Sequence, residues 1–148
     1  MSADPYARYT LTELPGRYAV CRLLPTAPIP AWADGRDDFC AITRTRDELS
    51  IICPQAVLPM TSTAEITAEI EAIEVARDWV VLRVEGPFAF DVTGVLAALS
   101  TVLAAAGVVL LAVATYQTDY LLVKDDQLQQ AQRALAAAGH HVNVHASQ

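Results

Sequence analysis

Apolar positions along this chain fall into short β-type runs and two helical stretches, and the pattern is clearest from residue 79 onward. Trp79-Val-Val-Leu-Arg-Val84 is a β-branched apolar run ended by Glu85-Gly86-Pro87, a turn signal, so a strand is predicted there. Asp91 stands directly before an Ala/Leu-rich stretch that predicts a helix over about 92–106, with the carboxylate accepting orphan backbone N–H groups. Gly107 supplies the left-handed C-cap. A buried strand over Val108–Thr115, a tight polar turn and a strand over Asp119–Lys124 follow. A second helix is predicted over Asp126–Ala138, because Leu128, Ala131, Leu135 and Ala138 recur at helical spacing, and Gly139 ends it. His140-His-Val-Asn-Val144 reads as an edge strand. The order is β-α-β-β-α-β; with right-handed crossovers it gives the ferredoxin-like arrangement, an antiparallel sheet with both helices on one face.

The first half is less regular. Tyr9–Leu14 and Arg17–Leu24 flank Pro15-Gly16, which suggests a hairpin. Tyr18-Ala-Val-Cys-Arg-Leu-Leu-Pro25 is a weaker copy of the run from Trp79 to Pro87, and Arg44–Ile52 can be laid over Thr115–Val123, setting Glu48 on Asp119. Between them Pro25, Pro28, Pro30 and Gly35 leave room only for a short helical turn around Ala31-Trp32. A degenerate tandem repeat is expected, with divisions at 8–77 and 78–148. The stretch 61–77 is ambiguous between helix, with Ile66, Ile70 and Ile73 at helical spacing, and strand; the reading favoured is a short helix running into a strand over Ile73–Arg77. The expected fold is thus α+β, two ferredoxin-like (βαββαβ) units packed together, the first degenerate.

Composition narrows the function classes. The 148 residues are 53% hydrophobic and 18% charged, which predicts a packed globular protein. A net charge of −7 with no basic stretch argues against nucleic acid and anionic membranes. The uncharged run from Val92 to Thr118 is interrupted by Gly94 and Gly107 and changes character at the second, so it reads as helix plus strand rather than a membrane span. Met1–Arg17 is largely polar with no apolar core, which predicts a cytoplasmic protein rather than a secreted one. Cys21, Cys40 and Cys53 each lie in or beside an apolar run and read as small core residues. His140, His141 and His145 have no acid or cysteine beside them and read as solvated, so no metal is expected. No nucleophile elbow, phosphate loop or acid/base set is present, so neither catalysis nor a cofactor is predicted.

Two loops carry the candidate chemistry, and the predicted fold sets them at one end of the sheet. In Asp91-Val92-Thr93-Gly94-Val95 a helix start offers unpaired N–H groups suited to a carboxylate, and Gly94 lets a ligand approach. In Thr115-Tyr116-Gln117-Thr118-Asp119 a carboxylate, hydroxyls and an aromatic ring could hold an ammonium. The bland alternative is a helix cap beside a polar hairpin turn. Val84–Leu96 and Ala114–Lys124, together with Thr43–Pro54 upstream, resemble tandem ACT-domain proteins, the group that includes aspartate kinase regulatory domains and CASTOR-type arginine sensors. The resemblance implies a non-catalytic amino-acid-binding regulator, with ligands held at domain or subunit interfaces and a homodimer expected. It carries backbone contacts to the ligand carboxylate onto Val92, Thr93, Gly94 and Val95, and contacts with the amino group and side chain onto Thr115, Tyr116 and Asp119. The rival reading is a ligand-free protein–protein interaction module on the same scaffold.

Overall fold

The computed structural model describes residues 6–36, 39–59, 72–89 and 93–145. Its strands are β1 (Thr10–Glu13), β2 (Tyr18–Leu23), β3 (Ala41–Arg44), β4 (Leu49–Pro54), β5 (Ala72–Val84), β6 (Leu110–Ala114), β7 (Asp119–Lys124) and β8 (His141–Asn143). The helices are α1 (Val95–Ala105) and α2 (Leu128–Ala137). The chain divides into two compact units: an inserted unit, Gly16–Trp79, and a split unit made of Met1–Pro15 and Val80–Gln148. The expected division at 8–77 and 78–148 differs at its N-terminal end, because the first fifteen residues belong with the last part of the chain.

The inserted unit pairs β3–β4–β2–β5, all antiparallel. Counted along this unit alone, that is the ferredoxin-like strand order, with the fourth strand beside the first and the third between first and second. Where the order calls for a first helix there is only a 3-10 turn, Ala31–Ala33, as the prolines demand. Strand β5 settles the described part of the ambiguous stretch: 72–77 is strand, while 60–71 lies outside the described residues. Asp78 interrupts β5 with a positive φ of 67°. Gln55 serves it there, its Oε1 accepting the Asp78 N–H at 2.8 Å and its Nε2 donating to Oδ1 at 3.2 Å. The core gathers Ala19, Cys21, Leu23, Leu49, Ile51, Cys53 and Leu58, with Cys40 and Trp32 packed against it. The cysteines therefore serve as the small core residues expected of them.

The split unit holds β1, the second half of β5, α1, β6, β7, α2 and β8. Strand β1 pairs antiparallel with β5 (Leu11 opposite Val84) and parallel with β8 (Leu11 opposite Val142). Strand β7 pairs with β5 and β6. The ferredoxin-like order is thus kept, with one strand from the chain's beginning set between its first and fourth members. This corrects two expectations. Strands β1 and β2 do not form a hairpin around Pro15-Gly16; the Leu14 N–H goes to Val81 O at 2.9 Å instead. And β8 lies against β1, not β5.

Both helices pack on one face of this sheet. Val95, Leu99 and Leu103 of α1 form an i, i+4 stripe, and Ala131 and Leu135 of α2 face it over Val80, Leu82, Val84, Leu121 and Val123. Gly107 (φ 76°) and Gly139 (φ 94°) end the helices as read from the sequence. The bonds Val108 N–H to Leu103 O and His140 N–H to Leu135 O complete the caps. Ala138, expected on the buried stripe, is the exposed C-cap.

Two burial expectations fail. Strand β6 is an edge strand, with Ala112 and Ala114 exposed and neighbouring Val109 59% exposed, rather than a buried one. His140, expected to be solvated, is only 7% exposed. It stacks on Tyr9 with ring centroids 5.4 Å apart, and its Nδ1 accepts the Tyr9 N–H at 3.1 Å. No described helix is long and apolar enough to cross a membrane.

Candidate functional site

The turn between β6 and β7 closes on itself through backbone and hydroxyl together. Thr115 N–H donates to Thr118 O at 2.9 Å, Thr115 Oγ1 donates to the same carbonyl at 2.8 Å, and Thr118 N–H donates back to Thr115 Oγ1 at 3.3 Å. A threonine at the first position offers both a donor and an acceptor without a longer side chain, which is why Thr115-Tyr-Gln-Thr118 folds locally. Thr118 is itself buried and donates its hydroxyl to Val84 O at 2.5 Å, at the end of β5. The loop after β5 is tied to the same turn, with Phe88 N–H donating to Gln117 O at 2.9 Å.

Helix α1 begins beside this turn. Its N-cap is Gly94, with φ 83° and no side-chain cap, so the expected cap at Asp91 is corrected: the helix starts several residues later. A left-handed N-cap is cheap only without a Cβ, which is the role Gly94 fills. The first intrahelical bond runs from Ala98 N–H to Gly94 O at 2.9 Å. The N–H groups of Val95, Leu96 and Ala97 consequently have no partner within the helix and carry the positive end of its dipole.

Between the two loops lies an open cavity of about 350 Å³. Gly94 and Val95 line it from the helix start and Thr115, Tyr116 and Asp119 from the turn, so these five sequence-derived site residues are brought together. Thr93 is exposed and does not line the cavity, while Asp91 and Val92 lie outside the described residues. The lining also includes Gln117 and Thr118 of the candidate loop, and Phe88, Ala89, Leu96, Ala97 and Ala114, which sequence reasoning passed over. Phe88 and Ala89 follow the Gly86-Pro87 turn, and that break was the available signal that the loop re-enters the site. Asp119 is half-buried and, among the described residues, is the only acidic or basic one in the lining; Tyr116 also lines the cavity and is 79% exposed. Such a site can hold a cationic group at the carboxylate, an anionic oxygen at the helix start and an apolar body along Phe88 and Leu96. Among the described residues no cluster of histidine, cysteine and acid could hold a metal ion.

The inserted unit repeats the turn. Thr45 N–H donates to Glu48 O at 2.9 Å, Glu48 N–H donates to Thr45 Oγ1 at 3.2 Å, and Thr45 Oγ1 donates to Glu48 O at 3.4 Å. Thr45 is therefore the counterpart of Thr115, which moves the expected alignment by one residue. Arg44 corresponds to Ala114 and Glu48 to Thr118, so Glu48 is not the counterpart of Asp119.

A sheet carrying α1 and α2 on one face, with a cavity at the first helix start, is an ACT-type arrangement, and residues 74–137 match the ACT domain family. A second family, described as an N-terminal domain, matches residues 16–61. Among solved structures, protein Atu0741 from Agobacterium tumefaciens is 35% identical, covering 96% of this chain and 97% of that one at a TM-score of 0.81. The chain belongs to the same family as the Agobacterium protein, and within it residues 74–137 match the ACT domain family. The regulatory subunit of aspartate kinase from Thermus flavus shares the fold at 14% identity and a TM-score of 0.59, covering 86% of this chain and 95% of that one. The structure described as aspartokinase alpha and beta subunits does so at 16% identity and a TM-score of 0.61, covering 89% and 98%. No curated protein matches.

Proposed function

We propose that this chain is a non-catalytic regulatory protein that binds a free amino acid in the cavity between the start of α1 and the β6–β7 turn. The carrying observation is that two loops about twenty residues apart, each suited to one end of an amino acid, line one cavity of about 350 Å³. The ligand carboxylate sits at the N–H groups of Val95–Ala97, the ammonium faces Asp119, and the side chain lies toward Phe88, Leu96 and Tyr116. The likeness of the fold to an aspartate kinase regulatory subunit supports a regulatory role. The shared strand order and the Thr45 and Thr115 turns support a tandem pair of ACT-like units, the first degenerate, and the free thiols of Cys21, Cys40 and Cys53 favour the cytoplasm.

The test is a thermal-shift screen of the proteinogenic amino acids taken singly, since a ligand binding only the folded chain raises its melting temperature. One or a few should stabilise the protein, and Asp119→Ala should abolish that gain while leaving the unliganded Tm nearly unchanged. If no amino acid shifts the Tm, the sensor reading fails. The interaction-module reading then gains, and the exposed side chains of Leu96, Val109 and Tyr116 favour it. Under either reading a homodimer is expected. Strand β6 pairs only with β7 among the described residues, and its apolar free edge is suited to a second copy.

A further inference from the structure

The two units treat the same position in opposite ways. In each, the place between the loop after the unit's first strand and the turn joining its second and third strands is set by the residue closing that hairpin. In the split unit this is Ala114, paired opposite Asp119, and the space beside it is the open cavity. In the inserted unit it is Arg44, paired opposite Leu49, whose guanidinium reaches into the loop after β2. Arg44 Nη1 donates to Pro25 O at 2.5 Å and Nη2 donates to Ala27 O at 2.8 Å. That loop is itself a tight turn, closed by Ala27 N–H to Leu24 O at 3.0 Å, with Ala27 buried in the core. Its two carbonyls are thus held at the spacing of a guanidinium fork.

We infer that the inserted unit carries the counterpart of the ligand cavity in a closed form, plugged by Arg44, and that the seat of the plug is a binding site for a guanidinium cation. The first clause rests on the function proposed above; the second does not. Two backbone carbonyls, with no carboxylate paired to Arg44 among the described residues, recognise a planar donor fork by geometry more than by charge. A primary ammonium, with its donors in a different arrangement, is the poorer occupant. Residues 44 and 114 accordingly decide, among the described residues, in which unit this position stands open.

The experiment is chemical rescue. Arg44→Ala should lower the Tm by several degrees, and methylguanidinium at ~20 mM should restore much of that loss in the variant while leaving wild type unmoved. Methylammonium at the same concentration should restore far less. Should Arg44→Ala fail to fold, Arg44→Gln, which keeps an amide donor for one carbonyl, serves in its place. Equal effects of methylguanidinium on variant and wild type, or equal rescue by methylammonium, would overturn the guanidinium seat. The plug is tested separately by Ala114→Arg, read with whichever amino acid stabilises wild type. Retained Tm with the ligand-induced shift lost supports residue 114 as the gate; an undiminished shift overturns it. Failure of the function proposed above would appear instead as no amino-acid shift in wild type, with the methylguanidinium result intact.

Discussion

Thr118 donates its buried hydroxyl to the carbonyl of Val84, fixing the turn at the mouth of the cavity to the last residue of β5. The two residues are thirty-four positions apart, and nothing local requires them to meet. Thr118→Val keeps the shape and removes the buried hydroxyl donor to the Val84 carbonyl. A loss of about 1–3 kcal/mol is expected in urea unfolding, and Thr118→Ser should recover most of it. An unchanged urea midpoint would mean that water replaces the hydroxyl at no cost.

Gly94 holds the start of α1 at a φ of 83°, where a Cβ is strained. Gly94→Ala should destabilise the chain by about 1–2 kcal/mol, while Gly94→Asn should cost less because asparagine tolerates the left-handed region. Both variants should also weaken ligand stabilisation, because the helix start they displace forms one wall of the cavity. Paired urea curves with and without the stabilising amino acid separate the two effects.

The cavity loops were legible because their signals are local. Gly94 before an Ala/Leu helix and a Thr-rich turn before β7 mark themselves by residue type, and the alternation of strand and helix signals sets both loops at one end of a sheet. The destination of β1 was not legible. Pro15-Gly16 has the sequence of a hairpin turn, yet Leu11 finds Val84 across the chain. That pairing is decided by burial of Leu11 among Val84 and Val142, a long-range choice no window of sequence contains. Strand β6 misled in another way. An apolar run reads as buried, but a strand at the end of a sheet has a neighbour on only one side. Arg44 and Ala114 hid their contrast because the repeat was laid one residue out of register.

The stripe on α1 gives a stability test independent of the site. Leu99 and Leu103 are fully buried one turn apart between the sheet and α2. Leu99→Ala should cost about 2–5 kcal/mol, the range for a buried leucine whose cavity cannot collapse. Leu96→Ala, on the exposed side of the same helix, should stay within about 0.5 kcal/mol of wild type. Guanidinium or urea titrations followed by circular dichroism measure both. A Leu96 variant as damaged as the Leu99 variant would mean that Leu96 is covered in solution, by a second copy or another partner.

His140 gives the fold a pH dependence whose direction follows from its contacts. Burial, reinforced by the charge of Arg8, holds the His140 imidazole below its ordinary pKa. The ring is neutral in the folded chain, with Nδ1 accepting the N–H of Tyr9 at 3.1 Å. Protonating Nδ1 replaces that acceptor with a second donor and sets a cation against Arg8. The unfolded chain takes up its proton near pH ~6.5, before the folded chain does, so this residue's stabilising contribution is present above that pH. It is lost progressively as pH falls toward the lowered folded value. Because Tyr9 leads into β1, loosening should begin where β1 meets β8, whose parallel pairing starts at Thr10 and His141. Unfolding midpoints from pH 7.5 down to pH 5 should therefore decline, and His140→Gln should flatten the decline while lowering stability at pH 7.5. A wild-type profile level across that interval, or an unchanged slope in the variant, would remove His140 as the cause.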